Sequence, residues 1–194
     1  ISRSASMNWS FARDLEKDED RRQVAHLAYQ ASAQFYDLFT SDSEKLTEAL
    51  AAQLVDHKSE LSDCRVLWHE QKIVGMYCAF RSEELAERQT VSFKSLVDFF
   101  PLGPELLVKL RQYRELVEPT SIDGCYLSRI ATETKNRSLG IGSYLLSDCE
   151  KSSKGPKLLH VNRNNSVAMQ FYQKRGYAPL NPLHNYEICA LVKY

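Results

Sequence analysis

The first eighty residues pass from a helical pattern of apolar positions to a strand-like one. Over 20–39, apolar residues recur at spacings of three and four, which predicts an amphipathic helix. Residues 40–43 (TSDS) break this pattern and include good helix caps, and residues 44–57 predict a second helix. Residues 64–70 and 72–81 predict two paired strands joined by a tight turn.

Beyond residue 81 the chain returns to helical patterns and ends in alternating strands and helices. Residues 82–118 are mostly helical in pattern, with a break at 100–104, and their most regular part is 106–116. Residues 123–132 predict a strand. The remaining predicted elements are a helix after Gly142, a strand at 157–161, a helix at 165–175 and a strand at 186–194.

This succession of elements predicts one α/β domain with a mixed sheet, over residues 1–194. The length suffices for one sizeable core and is short for two. No apolar run approaches the roughly 20 residues that a membrane helix needs. The first ten residues also lack the apolar segment of a signal peptide. We therefore expect a cytoplasmic protein without a membrane partner.

The charges are unevenly distributed, although the net charge is zero. Residues 135–175 contain eight Lys or Arg against two Asp or Glu, whereas residues 1–60 contain seven against eleven. A local basic surplus in a neutral chain favours a small polyanion as ligand over a nucleic acid, which usually binds a strongly basic domain. The two closest of the five cysteines, Cys64 and Cys78, are 14 residues apart, so we expect free thiols and no metal site.

Residues 137–142 (RSLGIG) lie between a strand-like run and a predicted helix. A helix that begins after a glycine-rich turn presents unpaired N–H groups and a charge of about +0.5, so it binds anions readily. Gly140 and Gly142 would let a phosphate approach the backbone, and Arg137 would add a charged contact. By its own residues the stretch is compatible with an ordinary turn or with a phosphate site.

Two nucleotide-binding motifs are excluded at this turn. A P-loop requires a lysine after its last glycine, and none follows Gly142. A dinucleotide-binding turn requires a third glycine near the first strand of a βαβ unit, whereas this turn lacks that glycine and lies in the last third of the chain.

A second motif begins after 22 intervening residues, where 165–177 read NSVAMQFYQKRGY and follow the predicted strand. The two motifs, in this order, resemble those of the GNAT superfamily of acyl-CoA-dependent N-acetyltransferases. That family carries [RQ]xxGx[GA] between a strand and a helix, and then N-x-x-A-x-x-[FLY]-Y-x-x-x-G-[FY]. The resemblance is clear over residues 122–178. The matching residues are Arg137, Gly140, Gly142, Asn165, Ala168, Phe171, Tyr172, Gly176 and Tyr177.

The resemblance implies a fold and a co-substrate. The fold is a central mixed, splayed β-sheet flanked by helices, here with a helical insertion over about 82–121 between the third and fourth strands. The co-substrate is acetyl-CoA, without a metal: the fourth strand pairs with its pantetheine arm and the glycine turn holds its pyrophosphate. Lys174 or Arg175 would also reach a phosphate. The implied cofactor-binding residues are Ile130, Ala131, Thr132, Arg137, Ser138, Leu139, Gly140, Ile141, Gly142, Ser143, Asn165 and Ala168.

By the same resemblance Tyr172 is the catalytic residue, because the family uses this tyrosine to protonate the departing CoA thiolate. A tyrosine with an ordinary pKa near 10 is protonated at neutral pH, as this role requires. A general base is not assigned from the sequence. The residues considered for it are Glu83, Glu84, Asp123, Tyr126, Ser128 and His160.

The expected reaction is transfer of an acetyl group from acetyl-CoA to a primary amine, of a small molecule or a protein, by direct attack in a ternary complex. The alternative is a CoA-binding regulatory or scaffold module without catalysis. We expect the insertion to cover the acceptor side of the cleft. Its candidate lining residues are Phe93, Phe99, Phe100 and Tyr113. The sequence predicts no nucleic-acid partner, leaves the amine unidentified and is compatible with a homodimer.

Overall fold

A seven-stranded sheet organises the computed structural model, which describes residues 9–12, 15–136 and 139–194. The strands are β1 (Trp9–Ala12), β2 (Cys64–His69), β3 (Lys72–Arg81), β4 (Cys125–Thr132), β5 (Lys157–Asn162), β6 (Ala178–Pro179) and β7 (Ile188–Lys193). The α-helices are α1 (Asp18–Ala31), α2 (Ala33–Tyr36), α3 (Ser43–Val55), α4 (Leu85–Phe99), α5 (Pro104–Leu116), α6 (Ile141–Lys151) and α7 (Ser166–Gln173).

The strand order is β1-β2-β3-β4-β5-β7-β6, and β4 with β5 is the parallel pair in an otherwise antiparallel sheet. These two strands pair over three residues only, Cys125–Leu127 against Lys157–Leu159. On its other side β5 pairs with β7 from Lys157 to Asn162. Beyond Leu127, β4 and β5 therefore separate while each strand stays attached to its other neighbour.

Two local features join β4 and β5 at one end and part them at the other. The Cys125 N–H donates to the Pro156 carbonyl at 2.9 Å, and a Cβ atom on Gly124 would lie 2.4 Å from the same oxygen. The register of β3 and β4 shifts after Leu127, which leaves Ser128 as an extra residue on β4. Because a bulge of this kind bends its strand and increases its twist, Ser128 marks where β4 turns away from β5.

The two faces of the sheet bury separate apolar clusters. On one face α1, α3 and α4 pack against β2 and β3, with Leu27 and Met76 among the fully buried residues. On the other face α6 and α7 pack against β3, β4 and β5, with Leu145 and Tyr172 buried. Met76 and Tyr77 belong to opposite clusters because successive strand residues point to opposite faces. The cleft between β4 and β5 is thus supported by packed helices on both faces.

The predicted fold is confirmed: the sheet is mixed and splayed, and a helical insertion of α4 and α5 separates β3 from β4. The predicted helix over 20–39 is interrupted, because α1 ends at Ala31 and Ser32 separates it from the four-residue α2. The sequence pattern does not predict β1 or β6. With four and two residues respectively, these strands are too short to show a periodic pattern.

Two expectations from composition can be compared with the structure. All five cysteines are free and buried, as expected. Within the described ranges, no helix has the length and the apolar character needed to cross a membrane.

We expect Gly124→Ala to lower the free energy of unfolding by about 2 kcal/mol, because overpacking a rigid contact costs about 1–3 kcal/mol. Chemical denaturation followed by circular dichroism measures this change. Gly103→Ser is the control, since a Cβ there meets nothing within 4 Å and serine is a good cap for α5. A Gly124→Ala variant as stable as the Gly103→Ser variant would contradict the close approach of Gly124 to Pro156.

Candidate active site

A cavity of about 1060 Å³ opens where β4 and β5 separate. This volume is near the upper end of typical small-molecule sites, roughly 300–1,000 Å³. Its walls come from the α1–α2 segment, the α4–α5 insertion, the splayed strands and α7. The lining residues considered below are Tyr36, Gln53, Glu60, Phe93, Arg111, Tyr113, Arg114, Tyr126, Ser128, Arg129, Ile130, His160, Asn165, Ala168 and Tyr172.

The glycine turn before α6 leaves backbone N–H groups open. Gly140 precedes the helix with a φ of 80°, a left-handed conformation that favours glycine, and it provides no side-chain cap. The Tyr144 N–H donates to the Gly140 carbonyl at 3.0 Å, so the amides from Ile141 to Ser143 have no acceptor within the helix. Three amides at the positive end of a helix suit an anion such as a phosphate.

The predicted residues of this turn differ in what they can offer a ligand. Arg137 and Ser138 lie outside the described residues. The Leu139 side chain is exposed, whereas the Ile141 side chain is buried in the core, so Ile141 offers only its backbone. A Cβ on Gly142 would lie 3.6 Å from the Phe171 ring, which is an ordinary contact distance, so the turn tolerates a side chain there.

Arg175 places its guanidinium beside the same turn. Its Nη1 donates to the Phe171 carbonyl at 2.7 Å, and its Nη2 donates to Ser143 Oγ. The guanidinium carbon also lies 3.7 Å from the centroid of the Phe171 ring. Of the two cations that the sequence suggests for a phosphate, Arg175 is therefore held at the first turn of α6, while Lys174 is exposed to solvent.

The helix α7 brings Asn165, Ala168 and Tyr172 to the cavity. Asn165 Oδ1 accepts the Ala168 N–H at 3.0 Å, so this residue is the cap of α7 and has its Nδ2 left for other contacts. Tyr172 is 7% exposed. Burial, together with the nearby Cys149 thiol, raises the pKa of Tyr172 well above its usual range, and Arg175 lowers it only in part. The phenol is therefore protonated throughout the neutral pH range.

The β4 segment after the bulge runs along the cleft with one edge unpaired. From Arg129 to Thr132 it is hydrogen-bonded to β3, but its pairing with β5 has ended. An edge of this kind can pair with another extended group that carries amides. Of the predicted residues here, Ile130 lines the cavity, Ala131 packs towards the α1–α3 cluster, and the Thr132 methyl approaches Gly142.

A buried ion-pair network forms another part of the wall. Arg129 Nη1 lies 3.8 Å from Glu60 Oε1, and the two side chains are 10% and 11% exposed. Arg129 also donates to the Tyr36 hydroxyl at 3.1 Å and to the Ser128 carbonyl at 2.8 Å. The Ser128 hydroxyl donates to Glu60 Oε1 at 3.3 Å. These partners offset the cost of burying a guanidinium, which is large when its charge is unpaired.

A second chain of hydrogen bonds joins Tyr126, His160 and Glu118. The Tyr126 hydroxyl lies 2.9 Å from His160 Nδ1, and His160 Nε2 lies 2.6 Å from the Glu118 carbonyl. Because a carbonyl only accepts, the imidazole proton is on Nε2, and Tyr126 donates to Nδ1. Burial lowers the pKa of His160 despite the opposing effects of the Glu118 carbonyl and charge. The imidazole is therefore mostly neutral at pH 7.

Two of the four aromatic residues proposed to line the cleft do so. Phe93 of α4 and Tyr113 of α5 line the cavity. The expectation is wrong for Phe100, which is 6% exposed within the cluster of α1 and α3, and for Phe99, which packs against that cluster. Both lie where α4 ends above the core, and apolar burial is favourable there.

Three of the residues considered as a general base line the cavity, namely Tyr126, Ser128 and His160. The other three lie elsewhere. Glu83 pairs with Arg81 on the surface, Glu84 pairs with Arg88, and Asp123 is exposed outside the cavity. In the ranges that the structure describes, no group of three or more His, Cys, Asp or Glu side chains is arranged to hold a metal.

Glu60, Tyr36 and Arg129 were not among the site residues predicted from the sequence, and they come from three separate parts of the chain. A signal existed for Arg129 alone, since a charged residue inside the apolar run YLSRIA needs a buried partner. Not every basic residue over 135–175 is open to a ligand. Lys157, one of these residues, is buried and donates to the carbonyls of Ser153 and Gly155, so it offers no charge to a ligand.

The comparison with protein families concerns the second half of the chain. Residues 108–179 match the model described as acetyltransferase (GNAT) domain. This match extends from α5 to β6 and includes both sequence motifs. No curated protein matches the chain.

Solved structures resemble the chain over nearly all of its length. An N-acetyltransferase from Staphylococcus aureus Mu50 is 20% identical with a TM-score of 0.67, covering 94% of this chain and 98% of its own. A histone acetyltransferase HPA2 and related acetyltransferase from Corynebacterium glutamicum is 17% identical with a TM-score of 0.61, covering 95% of each chain. PaiA N-acetyltransferase from Thermoplasma acidophilum, in complex with coenzyme A, is 14% identical with a TM-score of 0.54, covering 96% and 99%. At these identities the likeness establishes the fold.

We expect His160 to make stability pH-dependent. Because its folded pKa lies below the unfolded value of about 6.5, the native state binds fewer protons, and stability falls as the pH drops below about 6.5. For one proton the slope is at most about 1.4 kcal/mol per pH unit.

The measurement is the unfolding free energy of the wild type minus that of His160→Gln, which should shrink between pH 7.5 and 5. His57→Gln, which removes an exposed histidine outside the cavity, is the control for the loss of a histidine as such. A constant difference between the wild type and His160→Gln would contradict a lowered pKa.

Proposed function

We propose that this chain, which belongs to the GNAT superfamily of acyl-CoA-dependent acetyltransferases, transfers an acetyl group from acetyl-CoA to the nitrogen of a primary amine by direct attack. The observation that carries the proposal is that Tyr172 and the unpaired edge of β4 border one cavity, at the point where β4 leaves β5. A proton donor and a strand edge open to an extended amide group are thereby combined in one cleft.

The described residues fit acetyl-CoA, which supplies the acetyl group as a thioester. The open amides from Ile141 to Ser143, with Arg175 beside them, suit its pyrophosphate. The unpaired edge of β4 suits the amides of its pantetheine arm, and Ala168 offers a small side chain at the cavity wall. The likeness in fold to PaiA N-acetyltransferase, which was solved with coenzyme A, supports this choice.

Tyr172 is the proposed general acid. Its pKa is raised by burial, so the hydroxyl keeps its proton until a stronger base forms beside it. A departing thiolate is such a group, and Tyr172 donates its proton to the thiolate sulfur as CoA leaves. Backbone N–H groups of β4 after the bulge at Ser128 are the proposed donors to the carbonyl oxygen, which gains negative charge during attack.

Glu60 is the proposed proton acceptor for the amine. A primary amine with a pKa near that of lysine, about 10.4, is mostly charged at pH 7 and has to lose a proton before it attacks. Among the described residues that line the cavity, Glu60 is the one carboxylate, and its Oε1 is held by the Ser128 hydroxyl. The carboxylate attracts the ammonium ion and accepts its proton, directly or through a water molecule.

Tyr172→Phe is expected to lower kcat about 100-fold or more, since general acids contribute roughly 10²–10⁴ to rates. The KM for acetyl-CoA should stay within about twofold, because the variant keeps the ring and loses only the hydroxyl. Thiol release with a competent amine measures both constants. Tyr177→Phe is the matched control, since Tyr177 packs beside Tyr172 and does not line the cavity. An unchanged kcat in Tyr172→Phe would contradict the proton-donor role.

Gly142→Asp tests the pyrophosphate site without disturbing the fold. A side chain there meets Phe171 only at contact distance, and a carboxylate in the first turn favours a helix. The same charge repels a pyrophosphate, so we expect the Kd for CoA to rise about tenfold or more, equivalent to about 1.4 kcal/mol.

Isothermal titration with CoA measures this affinity, and thermal unfolding verifies the fold. Ser43→Asp, which adds the same charge to the first turn of α3, is the control and should bind CoA like the wild type. Equal affinity in the two variants would place the pyrophosphate elsewhere.

A further inference from the structure

The helix α5 forms one wall of the cavity without being part of the core. None of its residues is fully buried. It is attached mainly at its ends: α4 precedes it, and after it Val117 bridges to Ile188 while the Glu118 N–H donates to the Ile188 carbonyl at 2.9 Å. In between, the Tyr113 ring packs on Phe35 with centroids 5.2 Å apart. This helix is thus a cover over the cavity.

The cavity-facing side of α5 carries unmatched positive charge. Arg111 and Arg114, three positions apart and hence on one helix face, both line the cavity. Neither guanidinium forms a hydrogen bond or ion pair with any residue that the structure describes, whereas Lys109 on the same helix pairs with Glu105 at 3.2 Å. Arg129 differs from them, because Glu60 already neutralises it. Among the described residues, three arginines and one carboxylate therefore line the cavity, and two of these positive charges have no counterpart there.

Both arginines are solvent-exposed and line the same cavity as the Glu60–Arg129 network. The Tyr113 hydroxyl responds to that network: burial raises its pKa, the Arg129 charge lowers it, and the Glu60 charge raises it. The cavity wall also retains capacity for polar contacts, since the buried Gln53 Oε1 and Arg129 Nε have no hydrogen-bond partner in the described part of the chain. A ligand in this cavity thus meets a carboxylate at one place and two guanidinium groups at another.

We propose that the acceptor is zwitterionic: a primary amine that also carries an oxyanion, with the amine at Glu60 and the oxyanion at Arg111 and Arg114. The inference rests on the proposed function and adds its substrate class. Guanidinium groups bind carboxylates and phosphates by charge-assisted, often bidentate hydrogen bonds, so the oxyanion is of one of these two kinds. A purely cationic amine would leave both arginines unmatched and would be repelled by them.

The test measures thiol release from acetyl-CoA with matched series of amines. Each ω-amino carboxylate, from glycine to 6-aminohexanoate, is compared with the alkylamine of the same length and with the ω-aminoalkyl phosphonate. We expect kcat/KM for the best zwitterion to exceed that of its alkylamine at least about tenfold, the factor that corresponds to 1.4 kcal/mol. A preference for the carboxylate or for the phosphonate identifies which oxyanion the site takes, and either supports the proposal.

The double variant Arg111→Gln/Arg114→Gln should reduce this preference to about onefold, because kcat/KM falls for the zwitterions and, with the repulsion removed, rises for the alkylamines. The KM for acetyl-CoA should stay nearly unchanged. Lys109→Gln, which removes a charge from another face of α5, is the control and should keep the preference.

Equal rates for zwitterions and alkylamines in the wild type would overturn the inference while leaving the proposed function intact. A raised KM for acetyl-CoA in the double variant, with the preference kept, would also overturn it by assigning the arginines to CoA. Failure to release CoA with every amine would contradict the proposed function, and the inference with it.

Discussion

The site depends on the short pairing of β4 with β5, which run side by side for three residues and then part. Each strand remains hydrogen-bonded on its other side, so their separation does not dissolve the sheet. The cost is a row of backbone N–H and C=O groups on β4 without a strand partner. Such groups are satisfied almost everywhere in folded proteins, by water or a ligand if not by another strand. The cleft is therefore a place where the fold itself prepares polar contacts for an extended molecule.

The electrostatics of the two ends of the site have different origins. At the α6 turn, backbone amides and Arg175 provide positive charge near the surface, where a polyanion can bind with little desolvation of the protein. Inside the cavity, burial decides the protonation states. It keeps the Tyr172 hydroxyl protonated and the His160 imidazole mostly neutral. The cost of burying the Arg129 charge is offset by Glu60 beside it.

The two helices of the insertion are held to very different degrees. The helix α4 is anchored by Arg88, whose guanidinium, 10% exposed, bonds Asp63, Glu84, Ser62 and the carbonyl of Ser59. Within the described ranges, the helix α5 has no comparable anchor and no buried residue. Changes on α5 are therefore expected to cost little stability, which is compatible with the acceptor-binding role proposed for Arg111 and Arg114. Because α4 is the helix held on the core, Phe99 and Phe100 at its end pack in the core and not in the cavity.

The sequence by itself determined the elements with a clear period, the order of strands and helices, and the two motifs of the α6 turn and of α7, because those features depend on neighbours in the chain. It did not reveal β1 and β6, which are too short for a period, or the interruption at Ser32. The part of the cavity wall formed by Glu60, Tyr36 and Arg129 was decided by the tertiary structure alone. Glu60 and Tyr36 lie 69 and 93 positions before Arg129, and the packing of the α1–α3 region on the sheet brings them together with Arg129. Contacts across such separations leave no periodic pattern in the sequence. They depend on burial and charge pairing, which arise only when distant segments of the chain come together.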